Sequence, residues 1–211
     1  MKKYLLTALI IVIISFILSI YLYQKMPEQM ASHWNIKGDV DNYSSRFITL
    51  FIIPIMSLIL LFVLSIIPKI DPLKKNIKEF RNYYDFFILI LIVFLFYLYI
   101  LTILWNLGLR FNFISVLAPA FAILFYYIAI LLKKSKRNWF IGIRTPWTLS
   151  SDKIWDKTHK LGSILYKISG VICLISIFFQ KYALFFIIAP IIIFSIYLVI
   201  YSYTEYKKIN K

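Results

Sequence analysis

Long apolar runs alternate with short polar connections along this chain. Six runs are long enough to cross a bilayer as helices, which takes about 20 apolar residues each. They extend from Tyr4 to Gln24, Phe47 to Ile67, Phe86 to Trp105, Phe111 to Leu132, Leu161 to Phe179 and Tyr182 to Thr204. The runs are rich in Ile and Val, which disfavour helix in water. In lipid the need to satisfy every backbone N–H and C=O within the segment outweighs that propensity. The first run is too long for a signal peptide, and "YLYQKMPEQ" has no small-residue cleavage pattern, so it reads as a retained helix. The pattern therefore predicts an all-α integral membrane protein with six transmembrane helices. It divides into three helical hairpins, residues 1–67, 68–132 and 133–211. The last two runs are so close in sequence that their connection must be a tight turn.

Composition agrees with this reading: 62% of the 211 residues are hydrophobic. A soluble chain of this size cannot hide so much apolar surface. The lone cysteine, Cys173, lies within an apolar run, so no disulfide within the chain is possible and a buried thiol is expected.

The net charge of +15 is distributed unevenly. If the N-terminus is cytoplasmic, 18 Lys and Arg fall on the cytoplasmic side and 5 outside. The cytoplasmic group comprises Lys2 and Lys3, five residues between the second and third spans, eight between the fourth and fifth, and Lys207, Lys208 and Lys211. The five outside are Lys25, Lys37, Arg46, Arg110 and Lys181. The positive-inside rule then predicts cytoplasmic termini and a plasma-membrane, multi-pass protein. The charge also suits anionic lipid headgroups. No nucleic-acid recognition module accompanies it, so direct nucleic-acid binding is not expected.

Within the spans the ionisable residue is Lys167, two turns into the fifth, from where its stem can snorkel toward the cytoplasmic surface. Pumps and ion-coupled carriers use several charges near the midplane, so a small-molecule carrier is a weak alternative. Candidate chemistry is confined to two loops.

The outer loop is "KMPEQMASHWNIKGDVDNYSSR". Pro27 followed by Glu28 can open a short interfacial helix. Lys37–Gly38–Asp39 is a turn signal. His33, Asp39 and Asp41 can approach one another, although their spacing is not that of a metal site.

The inner loop contains "RNWFIGIRTPWTLSSDKIWDKTH". Gly142 permits a turn, and Thr145 is pushed toward extended backbone by Pro146. "Phe-Ile-Gly-Ile-Arg-Thr-Pro-Trp" is expected to run non-helically along the membrane surface, with Trp139 and Trp147 as interface anchors. Arg144, flanked by apolar residues, needs a planar acceptor: a carboxylate such as Asp152 or Asp156, a phosphate, or helix-end carbonyls. Ser150 or Ser151 can cap the next helix. On that helix Asp152, Trp155, Asp156 and His159 share a face at spacings of three and four. Gly162 and Gly170 extend the line inward and would let a neighbouring helix approach closely. These residues can staple the loop to the bundle, with His159 on a backbone carbonyl, or form a ligand or partner site. A membrane enzyme using Asp156, His159 and Arg144 is a further alternative. No nucleophile stands beside a base, however, and neither a metal nor a cofactor is expected.

Two motifs carry a resemblance. "N-x-x-x-G-x-R-T-P-W-T-L", Asn138 to Leu149, is followed by "W-x-x-T-H-x-x-G", Trp155 to Gly162. Together they resemble the signature of the SdpI family of bacterial membrane proteins. Pro27, His33, Asn35, Gly38, Asp41 and Tyr43 resemble a membrane-hairpin module often found ahead of it. The resemblance implies an immunity protein that protects a cell from a secreted antimicrobial peptide. It also implies a receptor that, on meeting that peptide, holds a transcriptional repressor at the membrane. Under that reading Pro27 to Tyr43 would meet a ligand outside. Asn138, Gly142, Arg144, Thr145, Pro146, Trp147, Asp152, Trp155, Asp156 and His159 would form the inner functional motif.

Overall fold

Among the described residues, six helices long and apolar enough to cross a membrane build the fold of this multi-pass membrane protein. The computed structural model describes residues 2–209, and Lys211, counted above among the basic residues, lies outside the described residues. The chain runs through α1 (Lys2–Leu22), strands β1 (Gln29–Trp34) and β2 (Val40–Ser45), α2 (Arg46–Ile70), α3 (Lys74–Asn106), α4 (Phe113–Lys134), a short α5 (Pro146–Ser150), α6 (Asp152–Ile175) and α7 (Ala183–Ile209). Two 3₁₀ turns, Ser176–Phe178 and Gln180–Tyr182, make the tight connection expected between the last two spans.

Helices α1, α2 and α3 pack on one another, as do α4, α6 and α7, and α3 against α4 joins the two groups. Ala8, Val12, Leu61, Tyr84 and Ile88 fill the first group. Ala118, Ala122, Phe125, Cys173 and Ile187 fill the second. Cys173 is the buried thiol anticipated, with its Sγ on the carbonyl of Ala118 at 3.2 Å. The small-residue line on α6 also works as expected. A Cβ on Gly170 would stand 3.1 Å from the Ala122 carbonyl oxygen, so α4 and α6 touch through backbone there.

Three expectations are corrected. The outer loop is not helical after Pro27. It forms an antiparallel hairpin in which Gln29 faces Ser45 and Ala31 faces Tyr43. Its edge backbone is paired by a side chain: Asn106, at the end of α3, accepts from the Ala31 N–H (2.8 Å) and donates to the Ala31 carbonyl (3.1 Å). That tertiary pairing favours strand over the helix a local reading suggests. The turn at Gly38 is as expected, with φ of +84°.

Second, α3 starts at Lys74 and α7 continues to Ile209, well beyond the apolar limits. Apolar length marks the membrane, whereas the helical hydrogen-bond ladder continues into the polar zone. Asp85 and Glu205, just outside the apolar runs, are consequently buried helical residues.

Third, the non-helical segment of the inner loop ends at Thr145. Pro146 begins a helical turn because Thr145 and Thr148 exchange hydrogen bonds in a capping box (Thr148 N to Thr145 Oγ1 3.1 Å; Thr145 N to Thr148 Oγ1 2.9 Å). Ser151 occupies the cap position of α6 but its side chain makes no capping bond.

Candidate functional site

The helix order puts the β-hairpin at one face of the membrane and the 135–151 loop at the other, the face to which the basic residues of α3, α4 and α6 also belong. Each polar assembly bridges the two helix groups.

At the basic face Asn138 is fully buried and organises the loop. Its Oδ1 accepts from the N–H groups of Phe140 (3.0 Å) and Ile141 (2.6 Å), and its Nδ2 donates to the carbonyls of Lys136 and Ile141. The loop is then tied to the start of α3. The buried Asp71 carboxylate accepts from Trp139 N–H at 2.9 Å and from Leu73 N–H at 2.6 Å, and Asn76 Nδ2 donates to the Arg137 carbonyl at 2.8 Å. Thr148 Oγ1 donates to the Ile143 carbonyl at 2.8 Å, and Thr145 Oγ1 pairs with Ser202 Oγ of α7 at 3.0 Å.

Beneath the loop Trp155 and His159 are buried and stacked, their ring centroids 3.9 Å apart. Trp155 Nε1 donates to the Ser135 carbonyl (3.1 Å). His159 Nδ1 lies 2.9 Å from the Trp155 carbonyl, and His159 Nε2 accepts the Ile143 N–H at 2.9 Å. Those partners define a neutral imidazole with its proton on Nδ1. Gly142, at φ +114°, passes directly over the imidazole, and a Cβ there would collide with Nε2. The carbonyl on which His159 sits is that of Trp155 in its own helix, and it is the Ile143 N–H accepted by Nε2 that staples the loop to α6.

The acidic members of the motif face elsewhere. Asp152 and Asp156 are exposed, while Trp155 and His159 on the same helix face inward. The planar partner foreseen for Arg144 is not a carboxylate. Arg144 is exposed and donates to the Trp139 carbonyl at 2.9 Å. Arg137 is the arginine beside a carboxylate instead: its Nε forms an ion pair with Asp152 Oδ1 at 2.8 Å without hydrogen-bond geometry, and its Nη1 donates to the Leu149 carbonyl at 2.9 Å. Asp156 lines a polar cleft of about 280 Å³ with Asn76, Glu79, Lys136, Arg137 and Asp152. His159, sealed beneath Gly142, does not line that cleft. Trp147 packs on Tyr203 of α7 at 4.9 Å and Pro146 opens α5, while Trp139 is half exposed at the surface as an anchor should be.

At the opposite face His33 Nδ1 and Asp41 Oδ1 meet across the hairpin at 2.5 Å, with side-chain exposures of 66% and 42%. Asp39 does not join them: its N–H and that of Lys37 are held by Asn35 Oδ1 at 3.1 and 2.8 Å, which closes the turn. The tip of that turn rests on α4. Asn112 Nδ2 donates to the Lys37 carbonyl at 2.8 Å, and a Cβ on Gly38 would lie 2.5 Å from the same amide. Trp34 is stacked on Phe113 at 3.8 Å and meets Trp105 edge-on. Tyr43 is exposed, and Pro27 enters β1 from an irregular segment. The hairpin is thus a platform clamped to α3 and α4, with His33, Asp41 and Tyr43 on accessible surface.

Asp71, Asn76, Asn106, Asn112, Arg137, Thr148, Ser202 and Glu205 do structural work that sequence reasoning missed. Glu205, only 4% exposed, holds Lys157 of α6 and Lys208 of its own helix. The available signal was positional: Asp71, Asn106 and Asn112 are polar residues at the ends of apolar runs, where exposed backbone groups need partners.

These features define a six-span membrane protein, and two stretches of its sequence match known families: residues 134–202 match the SdpI/YfhL protein family, and residues 10–58 match a domain of unknown function, DUF1648. The first match covers the loop and hairpin just described, and the second covers α1 through the β-hairpin into α2. Among individual proteins, the chain is similar to Immunity protein SdpI of Bacillus subtilis (strain 168), with 28% identity over 211 residues, 100% of this chain and 99% of that protein. No solved structure matches.

Proposed function

We propose that this protein is an SdpI-type membrane immunity protein that protects its cell against a secreted antimicrobial peptide. The likeness to Immunity protein SdpI along the whole chain carries the reading. In this reading the termini are cytoplasmic, as the uneven distribution of Lys and Arg favours. The hairpin then faces outward and offers His33, Asp41 and Tyr43 to the peptide. The basic face, with Lys136, Lys153 and Lys160 exposed around the 135–151 loop, meets an acidic protein surface, the repressor. Lys157 is not part of that surface because it is committed to Glu205.

Expression of the chain in a sensitive, immunity-deficient strain tests the proposal directly. Survival on exposure to the secreted peptide should rise with the wild-type chain. It should fall with His33→Ala or Asp41→Ala at unchanged membrane level. Lys153→Glu with Lys160→Glu should spare survival and weaken co-sedimentation of the repressor with membranes. Unchanged survival on wild-type expression would refute the immunity reading. If both sets of variants lose both activities only in proportion to protein level, the division between faces is wrong.

A further inference from the structure

Helix α4 is set back between α3 and α6, and the recess forms an apolar groove on the membrane-facing surface. It has two parts that share Ile90, Pro119 and Ile123 in their linings. One, of about 470 Å³, runs toward Phe86 and Tyr97. The other, of about 380 Å³, runs along Gly170 and Leu174 and contains Lys167. Volumes of this size belong to ligand-binding clefts. Gly170 lets the floor of the second part rest directly on α4 backbone.

The polar groups in the lining decide what can enter. The Tyr97 and Tyr127 hydroxyls are already donated, to the carbonyls of Val116 (3.0 Å) and Tyr83 (3.0 Å). The remaining side-chain donors are Tyr126 and Lys167, which stand together at one end, with the Lys167 ammonium 5.7 Å from the centre of the Tyr126 ring. Lys167 forms no ion pair among the described residues. An extended peptide laid in the groove would find no partners for its backbone, which is costly in lipid, and a helix is too wide for a cleft of this volume. An acyl chain needs none. Gly170 packs level with Ala122 and Tyr126, so Lys167 lies near Tyr126 in height. That is eight residues of α4, or about 12 Å, from Lys134 at the basic end. A lysine stem directed toward that end brings its charge up to headgroup oxygens.

We propose that this groove is a binding site for one anionic phospholipid, with an acyl chain lying past Pro119 and Ile123 and the phosphate held by Lys167 and Tyr126. The site does not depend on what the protein protects against. It would offset the cost of placing an unpaired charge within a span.

Native mass spectrometry of the full chain, equilibrated with equal phosphatidylglycerol and phosphatidylcholine in mixed micelles, tests it. The anionic lipid should be retained about fivefold over the zwitterionic one, a ratio equivalent to about 1 kcal/mol. Lys167→Gln with Tyr126→Phe should abolish the preference, whereas Lys167→Arg should keep it. An unchanged preference in the double variant would overturn the proposal and assign the lipid to the surface lysines instead. Phosphatidylglycerol carrying a photoactivatable group within its chain provides a second readout on unmutated protein. Label should fall on peptides containing Ile123 or Val171. Label confined to α1, α2 or α7, or displacement of the lipid by an apolar peptide with equal labelling of all helices, would also overturn it.

Discussion

Replacing Gly142 by alanine isolates the fit between the inner loop and α6. Gly142 has φ of +114°, a region that L side chains occupy only under strain of about 1–3 kcal/mol. Its new Cβ would also collide with His159 Nε2, the atom that accepts the Ile143 N–H. Loop or imidazole must move, and a buried N–H left without a partner costs about 1–3 kcal/mol. The sum is about 2–6 kcal/mol, a large part of a typical stability. The protein supplies its own control in Gly108, which has a similar positive φ (+105°) but nothing within 4 Å of its added Cβ. Gly108→Ala bears the strain alone. The difference between the two variants therefore measures the His159 contact, about 1–3 kcal/mol, or roughly 2–12 °C in a thermal ramp on detergent-solubilised protein. His159→Ala should make Gly142→Ala less harmful than the two single effects would predict, because the collision partner is gone. Equal midpoints for Gly142→Ala and Gly108→Ala would refute the reasoning.

Four further outcomes are expected. Arg137→Ala should destabilise the loop by about 1–2 kcal/mol through its lost contacts with Asp152 and the Leu149 carbonyl, while the exposed Arg144→Ala stays within about 0.5 kcal/mol; thermal midpoints in detergent compare them. Asn106→Leu leaves both polar groups of the buried Ala31 backbone unpaired and should loosen the hairpin, read as faster amide exchange over residues 29–45. Glu205→Ala removes the carboxylate shared by Lys157 and Lys208, so limited trypsin cleavage near Lys207 should accelerate; an unchanged rate would show that α7 does not depend on this cluster. Reporter fusions at Lys37 and Lys153 should report opposite sides of the membrane, with Lys153 cytoplasmic, and a common side for both would refute the topology.

Much of this molecule is legible along the chain because the bilayer imposes a one-dimensional rule. A run of about 20 apolar residues must span, and must do so as helix, whatever its local propensity. The six spans, the tight last connection, the buried Cys173 and the close approach at Gly170 all follow from composition and spacing. Gly38, Gly142 and Thr145 were readable too, since their backbone preferences are local. A carbonyl partner for His159 is readable from residue type, but that carbonyl belongs to Trp155 of its own helix, and the bond that fastens the loop is the Ile143 N–H.

The polar assemblies at the two faces required tertiary structure. Both arginines of the inner loop carry the same charge and both can reach acceptors. Only the path of the chain brings Arg137 to Asp152 and leaves Arg144 on a loop carbonyl. Residues 29–34 and 40–45 pair as strands because Asn106, far away in sequence, supplies the edge hydrogen bonds and Asn112 supports the tip. Asp152 and His159 share a helical repeat, yet one faces water and the other lies beneath Gly142, because packing decides which side of a helix is covered. The length of each apolar run determines which segments enter the membrane. The partners of each polar group are set by long-range geometry, since a hydrogen bond needs its acceptor within about 3 Å and spacing along the chain does not specify that distance.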